Sequence, residues 1–458
     1  MKSRSMLLAI LSLILIPMSL NAWDTRLLGL GSPTLAIGEG VPSALSTAIG
    51  LLPTDQFNVG LSAIPDPVDI FTLPQQLGNE KLFPSNALIA EWTGANAGNG
   101  GLVMKPKGPM TFAIFLLRPG NNGFVVGGPR AAFAGLGASF FANSTATVTA
   151  PSAPNNIFDL FFSYKLGNIL LGGSVGFAYG LAANVTASTA GNATSNVTDT
   201  SSTLAATGRL GASLPLGPVG FDAGVVVVVG NASAKEVTGA TPPAPYGANL
   251  NDSLTATNVA LAVNARASLP LAQNLDLAGI GNFSMLPQNY SATALGANVD
   301  TTTARIDPSG IWSAGTGAGI TWKASDAFVV NGYVSAIVGA GNWVSVAGGV
   351  TPRPTNSTLW VTLRPLLSGE LKPASWLTVR GGVSYSGTYN TTTINANTGT
   401  TQSTTVTWTT GVTANAGVSV QLTDKAILEM VLNLTNFTSA GIGPLATPFA
   451  QTSLKMDL

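Results

Sequence analysis

A chain of 458 residues, 45% hydrophobic and only 9% charged, departs far from the roughly 25% charge of an ordinary soluble domain. Its formal net charge is zero, and removing Lys2 and Arg4 with a leader leaves 18 of the 20 basic residues against 20 acidic ones, a formal −2; this excludes the basic footprint of a nucleic-acid binder. With no Cys and no His, disulfides, thiol chemistry, the usual general base and most transition-metal ligand sets are excluded too, so the chain reads as a non-enzyme with no catalytic, cofactor or metal residue.

Residues 1–22 read as a secretory signal peptide. Lys2 and Arg4 precede an apolar stretch over 6–20, Pro17 interrupts it, and Ala22 is a small residue suited to cleavage. No later segment reaches the roughly 18 consecutive apolar residues of a membrane helix, so a membrane location for the exported chain requires a barrel. Residues 23–86 show no strand pairs and carry several Pro and Gly residues. They form either a periplasmic extension or a plug inside a lumen; the need to cover Leu27, Leu28, Leu30, Leu51, Leu52 and Phe57 favours the plug.

Residues 87–458 carry the strand signal. Strands are expected at 87–93, 100–105 and 110–118, then in hairpins at 157–166 with 169–183, 203–214 with 219–229, 254–269 with 274–285, 311–323 with 328–338, 358–371 with 377–389, and 405–422 with 426–434. Gly, Pro, Asn and Asp mark the junctions. The segment 405–422 shows the pattern most clearly, with Val406, Trp408, Val412, Val418, Val420 and Leu422 on one face and Thr, Gly, Asn and Ser on the other. Loops are expected at 184–202, 230–253, 286–310, 339–357, 390–404 and 435–448, and residues 449–458 return as a last strand. Short turns facing the periplasm and long loops facing outward give a transmembrane antiparallel up-and-down barrel of about 16 strands, with about 14 as the alternative. The apolar segment 131–141 breaks the alternation of directions and is assigned to a long outer loop.

Alternation also sorts the ionisable residues. Asp159, Lys165, Arg209, Asp222, Arg266, Asp276, Lys323, Arg364, Glu370, Arg380 and Glu429 fall on the lumen face. They form either structural ion pairs, with Arg209 near Asp222 and Arg266 near Asp276, or a charged constriction. Gly172, Ser174, Gly176, Ser384, Ser386, Thr409 and Asn415 make the outer half of that face neutral and polar. Phe158, Phe162, Phe177, Tyr179, Trp312, Trp322 and Trp408 point outward, as lipid contact requires.

The order of signal peptide, N-terminal segment and long-stranded barrel resembles the fatty-acid transporter-like (FadL) family of outer-membrane proteins. The stretch Asp66-Pro67-Val68-Asp69-Ile70-Phe71-Thr72-Leu73-Pro74 is similar to that family's plug-region pattern, in which an acidic stretch leads to an aromatic and then Asn-Pro-Ala. Leu73 and Gln75 replace the Asn and the Ala, leaving Pro74 alone, and the family's barrel has about 14 strands. The resemblance implies passage of hydrophobic molecules through a plugged barrel. The expected function is passive uptake of small hydrophobic or neutral solutes across the outer membrane of a diderm bacterium. A weakly selective porin and a structural, surface-display barrel are the alternatives. The expected partners are outer-membrane lipid, lipopolysaccharide, a small-molecule solute and, through the C-terminal strand, the barrel-assembly machinery.

Overall fold

A computed structural model describes residues 30, 34–35, 61–92, 98–116, 155–190, 193–238, 253–286, 288–293, 307–344, 355–395, 402–433 and 449–458. The signal-peptide and cleavage-site residues, most of 23–60, the segment 131–141 and the loop 435–448 lie outside them.

Sixteen described strands close into one antiparallel barrel. Three short strands, β1 (Ala87–Trp92), β2 (Gly98–Met104) and β3 (Met110–Leu116), lead into β4 (Asn155–Leu166) and β5 (Ile169–Ala190). The wall continues through β6 (Ala193–Leu216), β7 (Val219–Thr238), β8 (Ser253–Ala272) and β9, which runs over Leu275–Leu286 and resumes at Gln288–Thr293. It is completed by β10 (Asp307–Ser325), β11 (Phe328–Val344), β12 (Thr355–Ala374), β13 (Leu377–Asn395), β14 (Gln402–Thr423), β15 (Ala426–Asn433) and β16 (Phe449–Asp457). Closure comes from β16 pairing with β1, Thr452 facing Trp92 and Asp457 facing Ala87. The sixteen-strand count is therefore the one realised, and the fourteen-strand alternative is excluded.

At the short-turn end the turn at Gly167-Asn168 is the one expected, and the turn expected over 215–218 is tighter than the sequence suggests. Leu166 pairs with Ile169 and Leu216 with Val219, so Gly167-Asn168 and Gly217-Pro218 are two-residue turns. Gly167 and Gly217 have φ of +59° and +64°, values at which a Cβ would strain the backbone.

At the opposite end the expected loop 184–202 is largely strand, and 230–253 begins as strand as far as Thr238. β5 and β6 stay in register to Ala190 facing Ala193, and β7 remains paired to β6 as far as Thr238. Strands of 22 and 24 residues greatly exceed the roughly 9–11 needed to span a bilayer. Over this ribbon the hydropathy alternation of the sequence disappears. Thr and Val nevertheless keep their preference for the pleated backbone.

The outer surface is a belt of exposed apolar side chains, among them Phe162, Val175, Leu210, Phe283, Trp322, Leu363, Val383 (53% exposed) and Trp408 (64%). Its extent far exceeds the few hundred Å² typical of a soluble monomer, and with a closed sheet it identifies a transmembrane barrel. The inner face is not uniformly polar. Ala87, Ile89, Val103, Ala113, Phe115 and Phe161 from β1–β4 pack with Val68, Ile70, Phe71, Leu77 and Phe83 of the preceding segment. Strand β3 is largely apolar at both parities, with Ala113 and Phe115 inward and Phe112, Ile114 and Leu116 outward, the pattern of a strand covered on both sides.

Candidate functional site

The segment 61–86 lies against the inner face of this wall in two 3-10 turns, Pro67–Phe71 and Pro74–Gly78. Asp66 starts the first. Its extended backbone suits a residue before proline, its Oδ1 accepts from Val68 N at 3.2 Å, and Asp69 Oδ2 accepts from Asp66 N at 3.1 Å. This is a capping box with Pro at the first helical position. The same local chemistry fixes Asp69 facing the wall. The segment enters the barrel beside β1, where Leu458 N donates to Asn86 O at 2.9 Å. Lys455 on β16 donates to Leu82 O at 3.3 Å and stands over the Phe83 ring.

Arg266 on β8 is the centre of the contact. It stands opposite Asp222 on β7 in the strand register; its Nε donates to Asp222 Oδ2 at 3.0 Å and its Nη2 lies 2.9 Å from the same oxygen. Its Nη1 donates to Asp69 Oδ2 and, at 3.3 Å, to Ser62 O. Gln76 Nε2 donates to Asp222 Oδ1 at 2.8 Å and to Ser213 Oγ at 3.2 Å. Arg266 is 2% exposed and Asp69 is fully buried. Burial pushes the Asp69 carboxyl above the usual carboxylate range against the pull of Arg266, and the nearby Asp222 adds to the rise. One guanidinium thus serves two carboxylates, and Asp69 Oδ1 has no hydrogen-bond partner.

The other inward charges form separate groups. Arg209 Nη1 donates to Asp159 Oδ1 at 3.0 Å and to Ser174 Oγ at 3.1 Å, with the Phe71 and Phe161 rings 5.8 and 5.6 Å from its guanidinium. Arg380 meets Glu370 at 3.0 Å and Glu429 at 3.1 Å. Lys323 meets Asp276 at 3.1 Å and Lys165 meets Glu80 at 2.8 Å, both in exposed positions near the short turns. Arg364 is half-buried on β12, opposite Ser335.

The pairings expected within hairpins do not form. Asp222 faces Ser213, while Arg209 faces Val226 four residues further along. Arg209 instead reaches across β5 to Asp159, over Gly176, whose missing side chain leaves the space where the two groups meet. Arg266 faces Ile280, and Asp276 faces Pro270 and Thr321, so Asp276 is claimed by Lys323. Gly172, assigned from sequence to the neutral outer half, sits beneath Gln75 in the short-turn half. Asp69, Gln75 and Gln76 were not singled out from sequence. The signal available for them was β3, apolar on both faces, which marks a covered inner face.

No protein-family profile and no curated protein matches the chain. Among solved structures it is similar to the toluene transporter TodX from Pseudomonas putida, at 11% identity over 96% of this chain and 97% of that chain with a TM-score of 0.35. It is also similar to CdiB from Escherichia coli, at 13% identity over 81% and 62% with a TM-score of 0.37. A third likeness is to the ferric yersiniabactin uptake receptor FyuA from Yersinia pestis, at 12% identity over 81% and 71% with a TM-score of 0.31. The fold stands on the strand pairing and the apolar belt, independently of these likenesses.

Proposed function

We propose that the chain is an outer-membrane channel of a diderm bacterium through which small neutral or hydrophobic solutes pass passively, and that its N-terminal segment 23–86 partly plugs the lumen. The observation that carries this reading is the buried contact of residues 61–86 with the inner wall, centred on Arg266, Asp69 and Asp222. The lumen charges support the choice of solute. Arg209 with Asp159, Arg380 with Glu370 and Glu429, and Lys323 with Asp276 neutralise one another locally, leaving little field to select an ion. In this reading the short turns face the periplasm, lipid and lipopolysaccharide surround the belt, the final strand is read by the barrel-assembly machinery, and no reaction is catalysed.

Swelling of proteoliposomes in neutral and charged solutes of matched size tests the proposal. Neutral solutes should enter vesicles holding a variant that lacks residues 23–86 faster than vesicles holding the whole protein, with charged solutes lagging in both. Impermeability in both forms would contradict it. That outcome would favour surface display, for which the projecting β5–β6 ribbon is the supporting feature.

A further inference from the structure

Gly172, Gly211 and Gly224 face one another across β5, β6 and β7. With strands about 4.8 Å apart, they make a side-chain-free strip about 10 Å long on the inner wall. The 3-10 segment lies in this strip. A Cβ on Gly172 would overlap the backbone of Gln75 and stand 2.6 Å from the carbonyl carbon of Pro74. One on Gly224 would stand 2.5 Å from Thr72 O, and one on Gly211 would overlap Gln75 Oε1. Because the strip is bare, Gln75 Nε2 reaches the wall's own backbone, donating to Ala212 O at 3.1 Å and Ala223 O at 3.3 Å.

We infer that the strip Gly172–Gly211–Gly224 is an interaction surface whose partner is residues 72–78 of this same chain, docked there reversibly; the inference rests on the channel reading only where it concerns passage. The way the charges are shared permits release. Arg266 keeps Asp222, its partner within the wall, when Asp69 leaves, so release strands no bare cation. The contacts of Gln75 and Gln76 are hydrogen bonds that water replaces. Close approach of backbone to backbone selects glycine here, since valine would suit the strands themselves better.

The absence of cysteine from the chain makes the docking directly measurable. A Cβ on Gly78 stands 3.5 Å from Ser163 Cβ, within the range of a disulfide, so G78C/S163C in the full chain should cross-link on oxidation. Adding Gly172→Val or Gly224→Val should cut the disulfide yield about tenfold or more, equivalent to about 1.4 kcal/mol. Gly411→Val, at an inward glycine where a Cβ meets only Ser386 Oγ at 3.5 Å, should leave it unchanged. A heat-modifiable band on unboiled gels confirms that each variant folds. Equal yields in all three backgrounds would overturn the docking surface. Oxidation should also lower the bilayer conductance of G78C/S163C and reduction restore it; a conductance indifferent to the bond, in a protein whose 23–86 deletion conducts, would overturn reversible release. If that deletion does not conduct either, the channel reading fails while the disulfide yields still decide the docking.

Discussion

Arg266 stands directly opposite Asp222 across β7 and β8, 2.9 Å from it, so the wall's ion pair is complete before Asp69 of the lumen segment joins it. The third charge is the surplus one, and it sits on the element that is not part of the wall.

Removing the cation should therefore cost more than removing either anion. Arg266→Met leaves Asp222 and Asp69 beside each other without compensation, and loss of one partner of a buried pair costs about 3–5 kcal/mol. Asp69→Asn leaves the Arg266–Asp222 pair intact. Temperature-dependent loss of the heat-modifiable band should occur much earlier in Arg266→Met than in wild type, and close to wild type in Asp69→Asn.

Asp69 should also make docking depend on pH. Burial raises its docked carboxyl above the ordinary 3.8, so the docked segment holds the proton more tightly than the released one. The resulting stabilisation is fully present below 3.8 and is lost as pH rises through the docked value. The facing charged groups are Arg266 and Asp222, with Asp66 on the same turn. Bilayer conductance should rise between acidic and neutral pH in wild type. In Asp69→Asn it should stay at the acid level across that range.

The apolar belt predicts a difference between the two faces of one strand. Val383 points outward and Ser386 points into the lumen on β13. Val383→Arg places a charge against lipid at a cost of up to about 2–4 kcal/mol, whereas Ser386→Arg can direct its guanidinium into the lumen. Folding yield into detergent or lipid, read from the heat-modifiable band, should fall for the first and much less for the second.

The ribbon beyond the belt should be dispensable for closure. Val185 faces Thr198 and Thr186 faces Val197, so deleting residues 186–197 and joining the strands through Asn-Gly preserves the register below. The thermal midpoint of the shortened barrel should match wild type by circular dichroism.

Strand existence, turn positions and the sixteen-strand count were legible in the sequence because lipid on one side and lumen on the other impose a period of two. Above the belt that contrast ends, and the paired residues 184–190 and 193–202 were indistinguishable from a polar loop. Ion pairing was less legible. Glu370 with Arg380 follows from a hairpin register, whereas Arg209 with Asp159 spans an intervening strand and depends on the gap at Gly176. The lumen contact was least legible. A glycine carries no mark of what approaches it, so Gly172, Gly211 and Gly224 resembled neutral wall until their alignment was seen. The Asp-Pro-Val-Asp capping box was present in the sequence, but the direction in which it points Asp69 was not.

The central claim, that the N-terminal segment limits passage through this barrel, is tested most directly by planar-bilayer conductance of the whole protein beside a variant lacking residues 23–86. A low conductance that rises on deletion, with both proteins heat-modifiable, is the predicted result. Equal conductance in the two folded forms would contradict it.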